Sequence, residues 1–387
     1  MNYFHRYRHL TSLVSYGPDR IEIDAHTTVY NFTFRSRHTD ILPESPLDGA
    51  SSVDLLDVAD REIAENATFR YHVFAPSGGG KSSGMILLFH GFNERHWDKY
   101  LPWAAKLVES TGKAVVLFPI AFLMNRSPDS WSDTRLMHAA SRRRRAEYPD
   151  VIDSSLLNAA ISTRLQRNPQ RFIWSGLQTY YDVVEFLGSC QRGEHPLFES
   201  AVRVDIMSYS IGCFLSEVLL LANPSGYFSD SRVFMFCGGP VFNRISAVSK
   251  FILDSEANVR LYSFLVEHLE SHIRHDPKLS QYLNTESGIA FRSMLNYKRM
   301  GDFRESKLRT MSDRISAIAL ARDEIIPHYE VENTLKGRNR DIPVAVETVD
   351  FPYPYRHEDP FPAQEAIAAE VDEQFLRVFE KICGFLG

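Results

Sequence analysis

The sequence predicts an α/β fold built on a doubly wound, mostly parallel sheet, and three observations carry that prediction. Five short runs, at 85–89, 114–119, 202–207, 233–237 and 315–321, are too short for helices and largely lack clean alternation. Central strands of a parallel sheet read this way, because helices cover both of their faces. Helix-period patterns lie between the runs at 97–110, 176–187, 211–221 and 329–336, and a last one spans 362–385. Alternation of strand and helix implies right-handed crossovers. A chain of 387 residues, 44% hydrophobic and 24% charged, supplies the core such a sheet needs.

The chain opens with β structure. Residues 21–34 alternate and are rich in β-branched and aromatic side chains, as are residues 68–74, so both stretches are expected to be strands. Residues 36–66 between them are polar, contain Pro43, Pro46 and Gly49, and predict a loop with a short helix near 55–65. Residues 1–66 therefore form an N-terminal extension, and residues 67–387 the main domain. Two long intervals, 121–175 and 241–313, are helical in pattern without an evident strand; they are expected to be insertions covering one edge of the sheet. No repeat of fixed period occurs.

Composition excludes several classes. No run of about 18 uncharged apolar residues is present, and residues 1–8 lack the apolar stretch of a secretory signal, so a soluble, cytoplasmic protein without a membrane span is expected. Cys190, Cys213, Cys237 and Cys383 show no C-x-x-C spacing, which suits reduced thiols. A net charge of -6 argues against a nucleic-acid partner.

In open α/β sheets ligands bind beyond the carboxyl ends of the strands. Four such positions carry reactive or polarising groups. The run 202–207 leads into Ser208-Tyr209-Ser210-Ile211-Gly212 and then directly into a helical stretch, which places Ser210 at the apex of a tight turn. Such a turn needs small residues two before and two after the serine, and Ser208 and Gly212 meet that need. A serine attacks only when a base removes its proton, and the base needs an orienting carboxylate. Asp323 follows the strand 315–321, and His357 lies in a loop stiffened by Pro352 and Pro354 before the last helix. Finally, His90-Gly91-Phe92 follows the strand 85–89, where the N–H groups of Phe92 and Ile211 are placed to receive a developing oxyanion.

These four motifs, in this order, resemble those of the α/β-hydrolase superfamily over about residues 68–387. His90-Gly91 resembles its oxyanion loop, Ser208-x-Ser210-x-Gly212 its nucleophile elbow, Asp323 its acid and His357 its late histidine. Ser208 departs from the glycine usual there. The resemblance implies an α/β-hydrolase-type sheet, a Ser210–His357–Asp323 triad acting on a small-molecule acyl substrate, preferably a carboxylic ester, and no cofactor. It also implies that the two insertions form a cap. A non-catalytic binding or scaffold protein of the same fold is the alternative, with a peptidase or thioesterase using the same triad beside it.

Other motifs are weaker. Residues 75–82 fall one residue short of a phosphate-binding loop, but Lys81 leads into a strand where that loop requires a helix, so a hairpin connection is expected. His268, His272 and His275 have one-face helical spacing without a completing carboxylate, and no metal site is expected. Arg142 to Arg145 read as a solvated helix face, with attraction of an anionic substrate to a cap as the minority reading. Cys237, at a strand end, reads as a buried structural thiol.

Overall fold

The structure, a computed structural model, describes residues 1–43, 56 and 58–387. Among these, nine strands form one sheet: β1 (Arg20–Glu22), β2 (Thr27–Arg35), β3 (Thr68–Pro76), β4 (Ser82–Phe89), β5 (Ala114–Leu117), β6 (Phe198–Tyr209), β7 (Val233–Phe236), β8 (Ile315–Leu320) and β9 (Ala345–Val349). Their order is β1-β2-β3-β5-β4-β6-β7-β8-β9, antiparallel from β1 to β5 and parallel from β5 to β9. The mostly parallel α/β sheet is as the sequence predicts.

Most central strands are apolar where both faces are covered, although β6 carries Glu199, Arg203 and Asp205 in its first part. Met85, Leu87 and Phe89 of β4 point to one face and Ile86 and Leu88 to the other, following the two-residue period of a strand. Helices α1 (Tyr3–Leu13), α3 (Tyr100–Thr111) and α14 (Ala368–Leu386) cover the second face; α6 (Gln170–Gln191), α7 (Ile211–Ala222) and α13 (His328–Leu335) belong to the first. The remaining helices are α2 (Ala64–Ala67), α4 (Thr134–Glu147), α5 (Ala159–Arg167), α8 (Ser255–Tyr262), α9 (Leu269–His275), α10 (Pro277–Leu283), α11 (Glu286–Ser293) and α12 (Gly301–Thr310). No helix among the described residues is long and apolar enough to cross a membrane.

Several local expectations change. The stretch 21–34 is two strands, not one: Asp24 accepts hydrogen bonds from the N–H groups of His26 and Thr27, both at 2.8 Å, and turns the chain back. Pro46, Gly49 and Leu55 of the expected loop and helix lie outside the described residues; nearby, a 3-10 turn (Asp60–Glu62) precedes the single-turn α2. The segment after β3 is not a hairpin, because β5 stands between β3 and β4 and the connection must cross over it.

The second insertion covers a face and not an edge. Phe291 of α11 packs against Phe172 of α6 and Phe214 of α7, so this layer lies outside the helices that themselves cover the sheet. The two insertions are joined by Arg144, whose guanidinium donates to both carboxylate oxygens of Asp254 at 2.6 and 2.7 Å. Arg144 is buried, so the basic run is not uniformly a solvated face; Arg142 beside it is exposed. Asp254 also caps α8 by accepting from Ala257 N–H. The three histidines of the second insertion diverge from one purpose. A π-helical turn over Ser263–His268 breaks their phase, the His272 ring packs on Phe264, and His275 bonds the Ser271 carbonyl of its own helix.

Candidate active site

The carboxyl ends of β4, β6, β8 and β9 supply the site. β6 ends in Tyr209, Ser210 follows at φ 55° and ψ −122°, and α7 starts at Ile211. A non-glycine residue in that conformation stores roughly 1–3 kcal/mol of strain, which the packing around the turn must hold. Gly212 allows it. A Cβ there would meet the Phe89 carbonyl oxygen at 2.7 Å, so α7 could not approach β4 with any larger residue. Ser208 is fully buried at the other flank.

Ser210 Oγ lies 2.7 Å from His357 Nε2, and His357 Nδ1 lies 2.7 Å from Asp323 Oδ2. The other Asp323 oxygen accepts from the N–H groups of Ile325 and Ile326 at 2.9 and 2.8 Å, which aims the carboxylate at the imidazole. These partners assign the imidazole proton to Nδ1 and leave Nε2 as acceptor for the serine hydroxyl. All three side chains are buried. Glu324, next to Asp323, is exposed and takes no part.

The loop after β4 is fixed by His90. Its Nε2 accepts from Ile120 N–H at 2.9 Å, and its Nδ1 donates to the Gly91 carbonyl at 2.8 Å. Burial holds this ring neutral, pushing its pKa down to about 4. The Gly91 N–H donates to the Tyr100 hydroxyl at 2.8 Å. Among the described residues no protein acceptor faces the N–H of Phe92 or of Ile211. Asn93, at φ 57°, donates from Nδ2 to the carbonyls of Leu157 and Phe251, one in each insertion.

Tyr209, Lys99 and Arg322, like Asn93, carry no sequence signal. The Tyr209 ring stacks on His357 at 5.6 Å, and the Lys99 ammonium lies 4.4 Å from that ring's centre. Lys99 also pairs with Glu94 at 2.5 Å and donates to the Glu358 carbonyl beside His357. Arg322 pairs with Asp350 at 2.7 Å, donates to the carbonyls of Phe351 and Tyr353, and stacks on Tyr355. Its backbone N–H meets the Tyr355 hydroxyl. It thereby ties the Asp323 loop to the His357 loop.

Two spaces adjoin this group. A cleft of about 370 Å³ is lined by Ser210, His357, Phe92, Lys99, Leu157 and Phe251. An apolar cavity of about 80 Å³, also walled by Phe92 and Ile211, continues toward Phe172, Phe214 and Val218. Arg142 and Arg145 border a different groove, on the other side of Leu157 and Phe251.

Strand order, crossovers and insertions define the chain as an α/β-hydrolase-type fold. The whole sequence, residues 1–387, matches the model of a family of unknown function, DUF6051, and the chain belongs to that family. No curated protein matches it. Its fold is similar to a carboxyl esterase from the fungus Tuber melanosporum, at 10% identity and TM-score 0.45 over 89% of this chain and 92% of that one. A Pseudomonas putida esterase matches at 12% and 0.40, covering 98% of this chain and 85% of that one. A Pyrobaculum calidifontis esterase matches at 11% and 0.40, covering 92% and 85%.

Proposed function

We propose that the protein is a serine hydrolase that cleaves a carboxylic ester through an acyl-enzyme. The observation that carries this reading is the continuous chain from Ser210 Oγ through His357 to Asp323, with both contacts at 2.7 Å. Ser210 Oγ attacks the substrate carbonyl as its proton passes to His357 Nε2, and the carbonyl oxygen becomes an oxyanion. Asp323 steadies the imidazolium through Nδ1. The N–H groups of Phe92 and Ile211 donate to the oxyanion; losing one such donor typically costs about 3 kcal/mol of transition-state stabilisation. His357 then returns the proton to the leaving alkoxide, and the acyl group stays on Ser210. Water repeats the sequence on the acyl-enzyme and releases the acid. The apolar cavity behind Phe92 and Ile211 suits a hydrocarbon portion of the substrate.

A fluorophosphonate probe should label the wild-type protein at Ser210, and Ser210→Ala should lose both label and ester hydrolysis, the latter by at least about 10⁴-fold. A folded wild-type protein that neither labels nor hydrolyses esters favours the binding or scaffold reading.

A further inference from the structure

Arg95 stands three residues after Phe92 and borders both the Ser210 cleft and the apolar cavity. Among the described residues its only hydrogen-bond partner is the Ser127 hydroxyl, at 2.6 Å, and its guanidinium carbon lies 6.0 Å from the centre of the Trp131 ring. The acidic residue next to it in sequence is committed elsewhere: Glu94 pairs with Lys99. Arg95 is half-buried, and desolvation without a carboxylate beside it pulls its pKa down to about 10, so the guanidinium is still charged at neutral pH.

A guanidinium offers five donors in a planar fork, and one hydroxyl occupies only one of them. Desolvating a cation without a counter-charge is unfavourable, and an oxyanion that brings two acceptor oxygens removes that penalty. Of the Arg and Lys side chains lining the cleft among the described residues, Lys99 is paired with Glu94, which leaves Arg95 for an anion, while Asp98 and Glu358 disfavour a negative group elsewhere in it. The adjoining cavity wall is largely apolar.

We propose that Arg95 anchors an anionic group, a carboxylate or a phosphate-type oxyanion, carried by a substrate whose remaining body is apolar. This rests on the hydrolase reading for the reaction but not for the binding. Turnover is compared for three esters of one chain length: 4-nitrophenyl octanoate, mono-4-nitrophenyl suberate, and the 4-nitrophenyl ester of 8-phosphonooctanoate. The wild type should favour at least one anionic ester over the neutral one by about tenfold in kcat/KM, and which of the two it prefers identifies the anion. Arg95→Met should lower the anionic-to-neutral ratio by about tenfold, mainly through KM, and Arg95→Lys should restore part of it. Thermal melting checks that each variant is folded; if Arg95→Met does not fold, Arg95→Lys carries the comparison.

Ester turnover with an anionic-to-neutral ratio that Arg95 substitution leaves unchanged overturns the anchor while sparing the hydrolase reading. A second measurement keeps the two apart. Suberate and 8-phosphonooctanoate are titrated by calorimetry into Ser210→Ala, with and without Arg95→Met. Binding that vanishes with Arg95→Met supports the anchor even when no ester is hydrolysed; binding insensitive to Arg95 counts against it.

Discussion

Asp323 and Glu324 are adjacent carboxylates with opposite fates. Asp323 is buried against His357 and held by two backbone N–H groups, whereas Glu324 points to solvent. If the proposed mechanism holds, Asp323→Asn should leave the protein folded and reduce kcat by about 10⁴-fold, because an amide favours the wrong imidazole tautomer. Glu324→Gln should change kcat little; steady-state kinetics on a 4-nitrophenyl ester distinguishes the two. Strand-end position and chain order point to Ser210, Asp323 and His357 from sequence alone. Lys99, Tyr209, Asn93 and Arg322 were not legible, since each acts through a partner far away in sequence. Arg322 meets residues near 350, and Lys99 meets Glu358. A charged side chain on a loop reads as surface until that partner is known.

Among the elements, central strands and their helices were readable because burial on two faces leaves a direct imprint on composition. What the pattern could not give was pairing: nothing in residues 77–84 announces that β5 inserts between β3 and β4. The basic run on α4 is the clearest case of context overriding pattern. Arg144 faces inward because Asp254 is there to meet it, and Arg142 faces out. Breaking a buried pair leaves a charge without compensation, so Arg144→Met should cost about 3–5 kcal/mol of stability. Arg142→Gln should stay within about 0.5 kcal/mol. Chemical denaturation of both variants tests the difference.

For the whole molecule, three buried neutral histidines make stability depend on acid. Burial pushes His90 and His195 down to about 4 and His72 to about 3. In the unfolded chain each binds a proton near its ordinary value of 6.5, while in the folded protein it does not until the lower value is reached. Their shared effect is therefore absent above about pH 6.5 and destabilises the fold progressively as pH falls toward 4. Glu217 and Asp359, raised by burial, act in the opposite sense by keeping a proton in the folded state. Removing one histidine isolates its part: His195→Gln should flatten the dependence by up to about 1.4 kcal/mol per pH unit in this window. Denaturant midpoints measured between pH 7 and 4.5 read that slope directly. None of this was visible in sequence, where fourteen histidines look alike and only burial separates them.

The Arg322 contacts have one more bearing. Ion pairing, ring stacking and three backbone links join the strand ends that carry Asp323 and His357 into one wall. Across the cleft, Leu157 is fastened to Asn93 by a single amide-to-carbonyl link and is half open to solvent, whereas the Phe251 ring also packs against Arg356 of the His357 loop. Breathing that admits a bulky guest should thus fall to the Leu157 side, and His357 would keep its aim while the doorway moves.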